Sequence, residues 1–460
     1  MRRGGPWVVL LILSLGFFMT LLDLTAVNVA LPGMLDEFRA PLDELLWVIN
    51  VYVLVLAALL ITAGRLGDLR GPRTMFVVGV ALFTVASILC GLSDDPAQLI
   101  AARALQGLGA AALIPQSMTL IIATFPPQRR GTALGVWGAV AGVATIAGPT
   151  LGGLLVSTVG WRWIFFVNVP IGVLVLVLAL ALIPDVRRGT RHKLDLLGAG
   201  LVTAALVSLT FALTEGQRYG WNTGIWALLG GSVVLLAVFL LHQRRGQDGE
   251  PLLPFALFRS RGYAVMGFVA ATVQVGMIGL FLPVMLYLQT VLNFSALVAG
   301  LVMAPAMVVS AVLSPIAGRV ADRLGGKYVL MTGLVLFAAG LAWFAVLADD
   351  GRAWWAFQPA LIVAGSGIGC VFGPMVSLAM AGVAPELTGA ASGVLNTIRQ
   401  VGTVLGSAAV GALLQNRLAH HAAFTDALRP TLALPIAVVA LGAAACLLVR
   451  REPGPRRTSA

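Results

Sequence analysis

The sequence predicts an all-α integral membrane protein, with fourteen transmembrane helices arranged as two related halves. Three observations carry this. Apolar runs near twenty residues long recur from end to end, charge is scarce and gathered between them, and segments of the first half return in the second. About 20 apolar residues in helical form span a bilayer core. Of 460 residues, 59% are hydrophobic and 11% charged, against roughly 25% charged in an average soluble domain. A mean hydropathy of +0.96 cannot be hidden inside one soluble core of this length.

The spans fall near 7–32, 45–66, 75–92, 98–124, 131–157, 163–184, 194–214, 222–242, 264–290, 295–318, 328–348, 355–380, 388–416 and 430–449. The first follows Arg2 and Arg3 as a signal peptide would. Its apolar run reaches Pro32, past the 7–15 residues of a signal core, so it reads as a retained membrane helix. Fourteen spans put both termini on one side. With the N-terminus inside, 22 of the 30 basic residues fall on inside segments, 6 on outside loops and 2, Arg103 and Arg399, within helices. Cytoplasmic loops carry the excess of Lys and Arg, so both termini are expected in the cytoplasm.

The net charge of +11 is therefore topological, and no nucleic-acid partner is expected. Trp161, Trp163, Trp221, Trp354 and Trp355 stand at span ends, as interfacial aromatic residues do. Arginines number 28 against 2 lysines, beside abundant Ala, Gly and Val, which points to a GC-rich bacterial genome and a bacterial cytoplasmic membrane. Cys90, Cys370 and Cys446 all lie inside apolar runs, so neither a disulfide nor a zinc site is expected. His192, His242, His420 and His421 fall in loops or at span ends, and no metal site is expected there either.

The chain repeats itself. Gly64, Arg65, Asp68, Gly71 and Arg73, between spans 2 and 3, return in register as Gly318, Arg319, Asp322, Gly325 and Lys327, between spans 10 and 11. Span 5 aligns with span 13 at an offset of 258, with nine identities in 25 positions, Gly131/Gly389 and Thr145/Thr403 among them. Span 1 aligns with span 9 at an offset of 251, pairing Pro32 with Pro283 and Asp23 with Gln274. Each match skips eight spans, where two six-helix halves would skip six. The plan that fits is an N-terminal six-helix bundle over 1–190, two inserted helices over 191–245 and a C-terminal six-helix bundle over 246–460. Parallel repeats of six helices describe the major facilitator fold, with substrate held near the midplane between them.

Five motifs resemble one group of that superfamily. Gly64–Arg73 looks like the signature that follows its second helix. Leu22–Pro32 resembles the first-helix motif of the fourteen-helix drug:proton antiporters, Arg103–Gly109 their fourth-helix motif, and Gly148–Gly153 their fifth-helix antiporter motif. Trp161–Pro170 is similar to a stretch of the same branch. The resemblance covers nearly the whole chain. It implies export of small amphipathic compounds (drugs, dyes or antibiotics) driven by proton entry.

An ionisable side chain at the centre of a membrane helix costs roughly 2.5–3.5 kcal/mol on insertion scales, so such residues mark function. Asp23 is the one acid placed deep in a span, roughly 13 Å from the end at Pro32. Arg103 lies roughly 8 Å into span 4, at a similar depth. A free aspartate, with a pKa of about 3.9, is too acidic to carry protons near neutrality; burial raises a carboxyl's pKa and a nearby arginine lowers it. Asp23, with Arg103, is expected to carry the coupling proton, directly paired or water-bridged. The alternative is a static ion pair packing span 1 on span 4. With Gln274 at the equivalent position, proton chemistry is confined to the first half. One charge is worth about 2.3 kcal/mol per 100 mV, enough for a roughly 50-fold gradient of a neutral solute.

Asn28, Gln106, Gln274, Asn396, Arg399 and Gln400 are the polar residues expected to face substrate. A base in span 13 without an acid in that half suits neutral, zwitterionic or anionic compounds better than dications; the alternative for Arg399 is a bond to helix-end carbonyls. Gly64, Arg65, Asp68, Gly71 and Arg73, with Asp322, are expected to gate conformational change, and Gly148, Pro149, Gly152 and Gly153 to pack and bend span 5. Gly107–Gly109 and Gly365–Gly369 lie within spans and do not read as nucleotide loops. No G-x-x-x-x-G-K-[ST] loop is present, so neither ATP nor another cofactor is expected. No nucleophile–base set marks an enzyme, and a monomer is expected. A nutrient importer or a lipid-translocating transporter is the rival reading.

Overall fold

The computed structural model describes residues 5–40, 42–185, 195–216, 218–246, 251–294, 296–348, 353–419 and 424–449, which are helical with no strand. His192, His420 and His421 lie outside these residues. The first six spans are α1 (Pro6–Phe38), α2 (Leu42–Arg70), α3 (Pro72–Gly91), α4 (Pro96–Thr124), α5 (Pro127–Thr158) and α6 (Trp163–Leu182). The inserted pair is α7 (Leu196–Glu215) and α8 (Thr223–Arg245). The last six are α9 (Arg261–Thr290), α10 (Ala296–Leu324), α11 (Gly326–Leu347), α12 (Trp354–Met380), α13 (Thr388–Ala419) and α14 (Phe424–Ala445). Among the described residues thirteen helices are long and apolar enough to cross a membrane. The remaining span expected, 131–157, lies within α5, a helix of 32 residues.

Four of the first five helices open on proline: Pro6, Pro72, Pro96 and Pro127. Proline suits the first helical position because the amide it lacks has no intrahelical partner there. Two helices are interrupted. α6 turns at Val167, and α12 at Cys370–Val371, directly after the glycine-rich run 365–369.

The chain forms two compact units. Unit 1 comprises Met1–Thr124, Ala147–Leu257 and Ala384–Thr397; unit 2 comprises Phe125–Ile146, Phe258–Val383 and Ile398–Ala460. α5 thus gives its first turns to unit 2, and α13 gives its first turns to unit 1.

Glycine sets the closest helix approaches within each unit. In unit 1 a Cβ at Gly79 of α3 would stand 2.8 Å from the Gly109 carbonyl of α4, and one at Gly109 would stand 2.7 Å from the Phe83 nitrogen. In unit 2 a Cβ at Gly367 of α12 would lie 2.4 Å from the Phe337 nitrogen of α11. Both glycine clusters that superficially resemble nucleotide loops are therefore helix-packing seams.

The inserted hairpin docks on α2 within unit 1. Asn50 Nδ2 donates to Glu215 Oε1 at 2.7 Å, Arg218 lies 3.3 Å from Glu215 Oε2, and the Trp47 and Phe211 rings are 5.5 Å apart. Glu215, which directly follows the expected span 194–214, is buried (4% exposed). α8 is the least buried of the candidate spans, at 17%. At the hairpin's other end Asp195 caps α7, accepting from the Gly198 amide at 2.8 Å. Gln243 Nε2 donates to the same carboxylate at 2.6 Å, and His242 Nε2 lies 3.1 Å from both its oxygens. Gln243 Oε1 then accepts from the Leu253 amide at 3.1 Å. Burial pushes the Asp195 carboxyl up, but the bonds from Gly198, His242 and Gln243 outweigh it and hold the group below its ordinary value.

Gly367→Leu should separate α11 from α12, because overpacking a tight seam costs about 1–3 kcal/mol or more. A lowered melting temperature of the purified protein checks this, and an unchanged one contradicts it. Asp195 has a depressed folded pKa, so its stabilisation is present above about pH 3.8 and is lost as pH falls through the folded value. Hydrogen exchange in the first turn of α7 should rise below that pH. In Asp195→Ala it should already be fast at pH 7, since losing a cap costs roughly 0.5–2 kcal/mol.

Candidate functional site

Unit 1 holds a polar network inside apolar helices. Asp23 of α1 and Arg103 of α4 form a direct ion pair through Asp23 Oδ2 and Arg103 Nη1, with both side chains fully buried. Gln106, one turn beyond Arg103, donates from Nε2 to Asp23 Oδ1 and to Ser87 Oγ of α3, each at 2.9 Å. Its Oε1 accepts from Arg103 Nη1 at 2.7 Å. Asn168 of α6 donates to Asp23 Oδ1 at 3.1 Å. Arg103 Nε donates to the Val48 carbonyl of α2 at 2.9 Å, and its guanidinium lies 4.4 Å from the Tyr52 ring centroid and 5.8 Å from that of Phe165. Removing one partner of such a pair leaves an uncompensated buried charge, which costs about 3–5 kcal/mol.

Five helices thus contribute to the network around the pair. α1 brings the acid, α4 the base and Gln106, α2 a carbonyl and a ring, α3 a hydroxyl and α6 an amide. Two polar atoms, Arg103 Nη2 and Asn168 Oδ1, meet no hydrogen-bond partner among the described residues. Gln106, expected to face substrate, is instead bound into this network. Ser87, Tyr52 and Asn168 were not singled out from sequence. Only Asn168 carried a signal, as a polar residue in an apolar run inside the Trp161–Pro170 motif. Other members of that motif secure the ends of these helices: Trp161 Nε1 donates to Glu37 Oε2 at 2.6 Å, Arg162 pairs with Glu37, and Arg162 Nη2 donates to the Ser93 carbonyl at 3.0 Å.

The fifth-helix motif adjoins the acid. A Cβ at Gly148 would stand 1.8 Å from Thr25 Oγ1, and one at Gly152 would stand 3.2 Å from Ala26 Cα, so these glycines let α5 lie directly against α1 beside Asp23. Gly153 would meet only Val29, at 4.0 Å. The side chain of Pro149 lies outside the described residues.

The repeated loop performs the same four tasks in each unit. Asp68 accepts from the Gly389 and Ala390 amides in the first turn of α13, both at 2.8 Å. Asp322 accepts from the Gly131 and Thr132 amides in the second turn of α5, both at 2.8 Å, and from Thr132 Oγ1 at 2.7 Å. On α13 the carboxylate satisfies amides that have no helical partner, and on both helices it meets the positive end of the helix dipole. Close approach needs glycine: a Cβ at Gly64 would stand 2.6 Å from the Gly389 carbonyl, and one at Gly318 would stand 2.3 Å from the Gly131 carbonyl. Gly71 and Gly325 each adopt φ of 93°, which side chains disfavour, and α3 and α11 follow directly. The closing base reaches the end of the sixth helix of its sequence half. Arg73 donates to the Leu180 carbonyl of α6, and Lys327 to Leu447 and Val449 beyond α14 at 3.1 and 2.7 Å. Arg65, buried, lies 4.0 Å from Asp68.

The other residues expected at the substrate divide between the units. In unit 2 Gln274 Nε2 donates to Thr403 Oγ1 at 2.9 Å, the Arg399 guanidinium lies 5.0 Å from the Phe372 ring centroid at the break in α12, and Gln400 is half-buried. In unit 1 Asn28 is exposed and bonds back to the Leu24 carbonyl at 3.0 Å, while buried Asn396 bonds back to Ser392 at 2.9 Å.

Membrane-length helices, a loop that acts identically in two repeat-related places and a buried acid–base pair define a polytopic membrane transporter. Residues 13–407 match the family model of the Major Facilitator Superfamily, and the chain belongs to that family. It is 36% identical over 403 residues to multidrug resistance protein Stp of Mycobacterium tuberculosis, covering 87% of this chain and 74% of that one. It is 38% identical over 412 residues to puromycin resistance protein pur8 of Streptomyces alboniger, covering 88% and 81%. These relatives set it in the drug-efflux branch. The human organic anion transporter MFSD10 (TETRAN) shares the fold, with a TM-score of 0.67 at 17% identity, covering 95% of this chain and 100% of that one.

Arg103→Ala should destabilise the purified protein by about 3–5 kcal/mol, since it strands Asp23. Asp23→Asn, which keeps the shape but turns one accepting oxygen into a donor, should cost less, because Arg103 keeps the Val48 carbonyl, Gln106 Oε1 and the Tyr52 ring. Melting of the two variants and of the double variant checks this; equal losses from each would remove the buried pair as a stabilising element.

Proposed function

We propose that the protein is a proton-coupled antiporter that exports small amphipathic compounds across the bacterial cytoplasmic membrane by alternating access, with both termini in the cytoplasm. The observation that supports this best is the fully buried Asp23 carboxylate, joined to Arg103, Gln106 and Asn168. A proton arriving at Asp23 cancels the charge that binds Arg103. The guanidinium then keeps the Val48 carbonyl, Gln106 Oε1 and the Tyr52 ring, so it stays solvated by protein while α1 is released from α4. Arg103 Nη2 and Asn168 Oδ1, with bonding capacity to spare, receive the water that delivers the proton.

Alternation needs ties that can break. Asp68 and Asp322 each hold the N-terminal end of a helix from the other sequence half through two amide bonds, and such ties open without covalent change. The names of the relatives, multidrug and puromycin resistance proteins, support outward drug transport. For the substrate side we assign Gln274, Arg399 and Gln400 with Thr403, a surface that is polar with one base. That chemistry favours neutral, zwitterionic or anionic compounds, exchanged for one proton.

In inverted vesicles loaded with acid, a transported dye or antibiotic should dissipate the pH gradient with wild-type protein. With Asp23→Asn the dissipation should fall to that of protein-free vesicles, while exchange of labelled for unlabelled compound without a gradient should persist. Full gradient-driven transport by Asp23→Asn would refute the proton role.

A further inference from the structure

Three helices of unit 2 end around one cavity apart from the residues assigned to substrate and proton. α9 begins at Arg261, α12 ends at Met380, and α14 runs out through the turn Cys446–Leu448. Between these ends lies a space of about 480 Å³, lined among others by Arg259, Ser260, Arg261, Leu378, Gly382 and Val449. No acid lines it. Both arginines are exposed, and neither has an ion pair or hydrogen bond among the described residues. Lys327 adds a third positive charge at the rim, since its Nζ lies 2.7 Å from the Val449 carbonyl. Gly382 keeps the floor open: a Cβ there would stand 3.2 Å from Ser260 Oγ. Leu378 and Val449 supply an apolar wall beside the charges.

Three cations around a space that no anion lines among the described residues attract a negative group, and two guanidinium forks match the paired oxygens of a phosphate. Basic pockets between transmembrane helices on the cytoplasmic side take phosphate-bearing lipid head groups. On the orientation proposed above, on which this inference rests, these helix ends lie at the inner leaflet. We propose that the cavity binds the phosphodiester of an anionic phospholipid, with the phosphate between Arg259 and Arg261 and the first methylenes of a chain against Leu378 and Val449. The apolar wall distinguishes this ligand from free phosphate, which has nothing to lay against it. A lipid seated there spans α9, α12 and α14, and so ties the ends of three helices of unit 2 together.

The test is native mass spectrometry of the full-length protein incubated with phosphatidylglycerol, phosphatidylcholine or inorganic phosphate. Phosphatidylglycerol should be retained in preference to phosphatidylcholine. Arg259→Gln with Arg261→Gln should weaken that retention about 30-fold, while Arg259→Lys with Arg261→Lys preserves most of it. Gly382→Leu, which fills the cavity at unchanged charge, should also lose the lipid, so the result does not hang on one variant's folding. Equal retention of the two lipids, or undiminished phosphatidylglycerol in the Gln double variant and in Gly382→Leu, overturns the proposal. Displacement of the lipid by millimolar inorganic phosphate would make this a free-phosphate site and overturn it as well. Labelling Arg259→Cys with a membrane-impermeant thiol reagent, in intact cells and in inverted vesicles, tests the orientation separately. Reaction only from outside would overturn the inner-leaflet assignment while leaving the lipid measurement standing.

Discussion

A carboxylate and a guanidinium with no exposed side-chain surface must find all their bonding within the protein. In a membrane the requirement is stricter, because hydrocarbon offers no substitute for a missing partner. The arrangement of unit 1 follows from it. Asp23 cannot sit at its depth without Arg103, and Arg103 cannot sit there without the Val48 carbonyl, Gln106 and the Tyr52 ring. Gln106 in turn needs Ser87, and Asp23 takes its remaining bond from Asn168. The seam of Gly79 and Gly109 belongs to the same constraint, since it brings α3 near enough to α4 for a serine hydroxyl to reach a glutamine on the next helix.

The repeat shows which parts of this design are mechanical and which are chemical. Glycine at 64 and 318, carboxylate at 68 and 322, left-handed glycine at 71 and 325, and a base at 73 and 327 do the same work in both units. Those tasks concern backbone amides and carbonyls, which every helix end possesses, so duplication preserves them. The position of Asp23 is different. Its equivalent, Gln274, bonds the hydroxyl of Thr403 and carries no charge. A neutral amide needs no buried counter-ion, so unit 2 can leave its inner surface to another purpose.

Much of this was legible in the sequence, for reasons that also mark where legibility ended. The spans could be read because bilayer thickness fixes helix length, and the repeat could be read because glycines and charges in a short loop are conspicuous. Asp23 and Arg103 stood out because an ion in an apolar run is rare. Their neighbours did not, because whether Ser87 or Tyr52 faces the pair depends on helix rotation, which near-uniformly apolar segments leave open. The burial of Glu215, just past the expected span 194–214, could not be read because the residue that buries it, Asn50, is 165 positions away. The interruption of α12 at Cys370 was not anticipated, although Pro374, four residues on, lacks the amide that would bond the Cys370 carbonyl. Nor does composition reveal that 125–146 and 384–397 pack with the unit opposite to their sequence half; that affiliation depends on Asp322 and Asp68, each paired with a helix end far along the chain.

α2 joins these features in one rigid element. Val48 and Tyr52 are four residues apart and therefore share a face, the one turned to Arg103; Trp47 and Asn50 are three apart and share another, turned to Phe211 and Glu215. The inserted hairpin consequently bears on the back of the helix whose front solvates the ion pair, at the same level. Further along, the same helix carries Gly64 and Asp68, which grip α13. Tyr52 and Asp68 are separated by 16 residues of unbroken helix, roughly 24 Å at 1.5 Å per residue. Nothing inside that stretch can absorb a bend: it has no proline, and its glycines are packed against Gln116 and α13. A shift of α2 that accommodates a neutral Asp23 must therefore be taken up at its ends, where the ties are hydrogen bonds to Glu215 on one side and to two backbone amides on the other. Charge at one buried carboxylate and contact at a distant helix end are then two consequences of the position of a single helix.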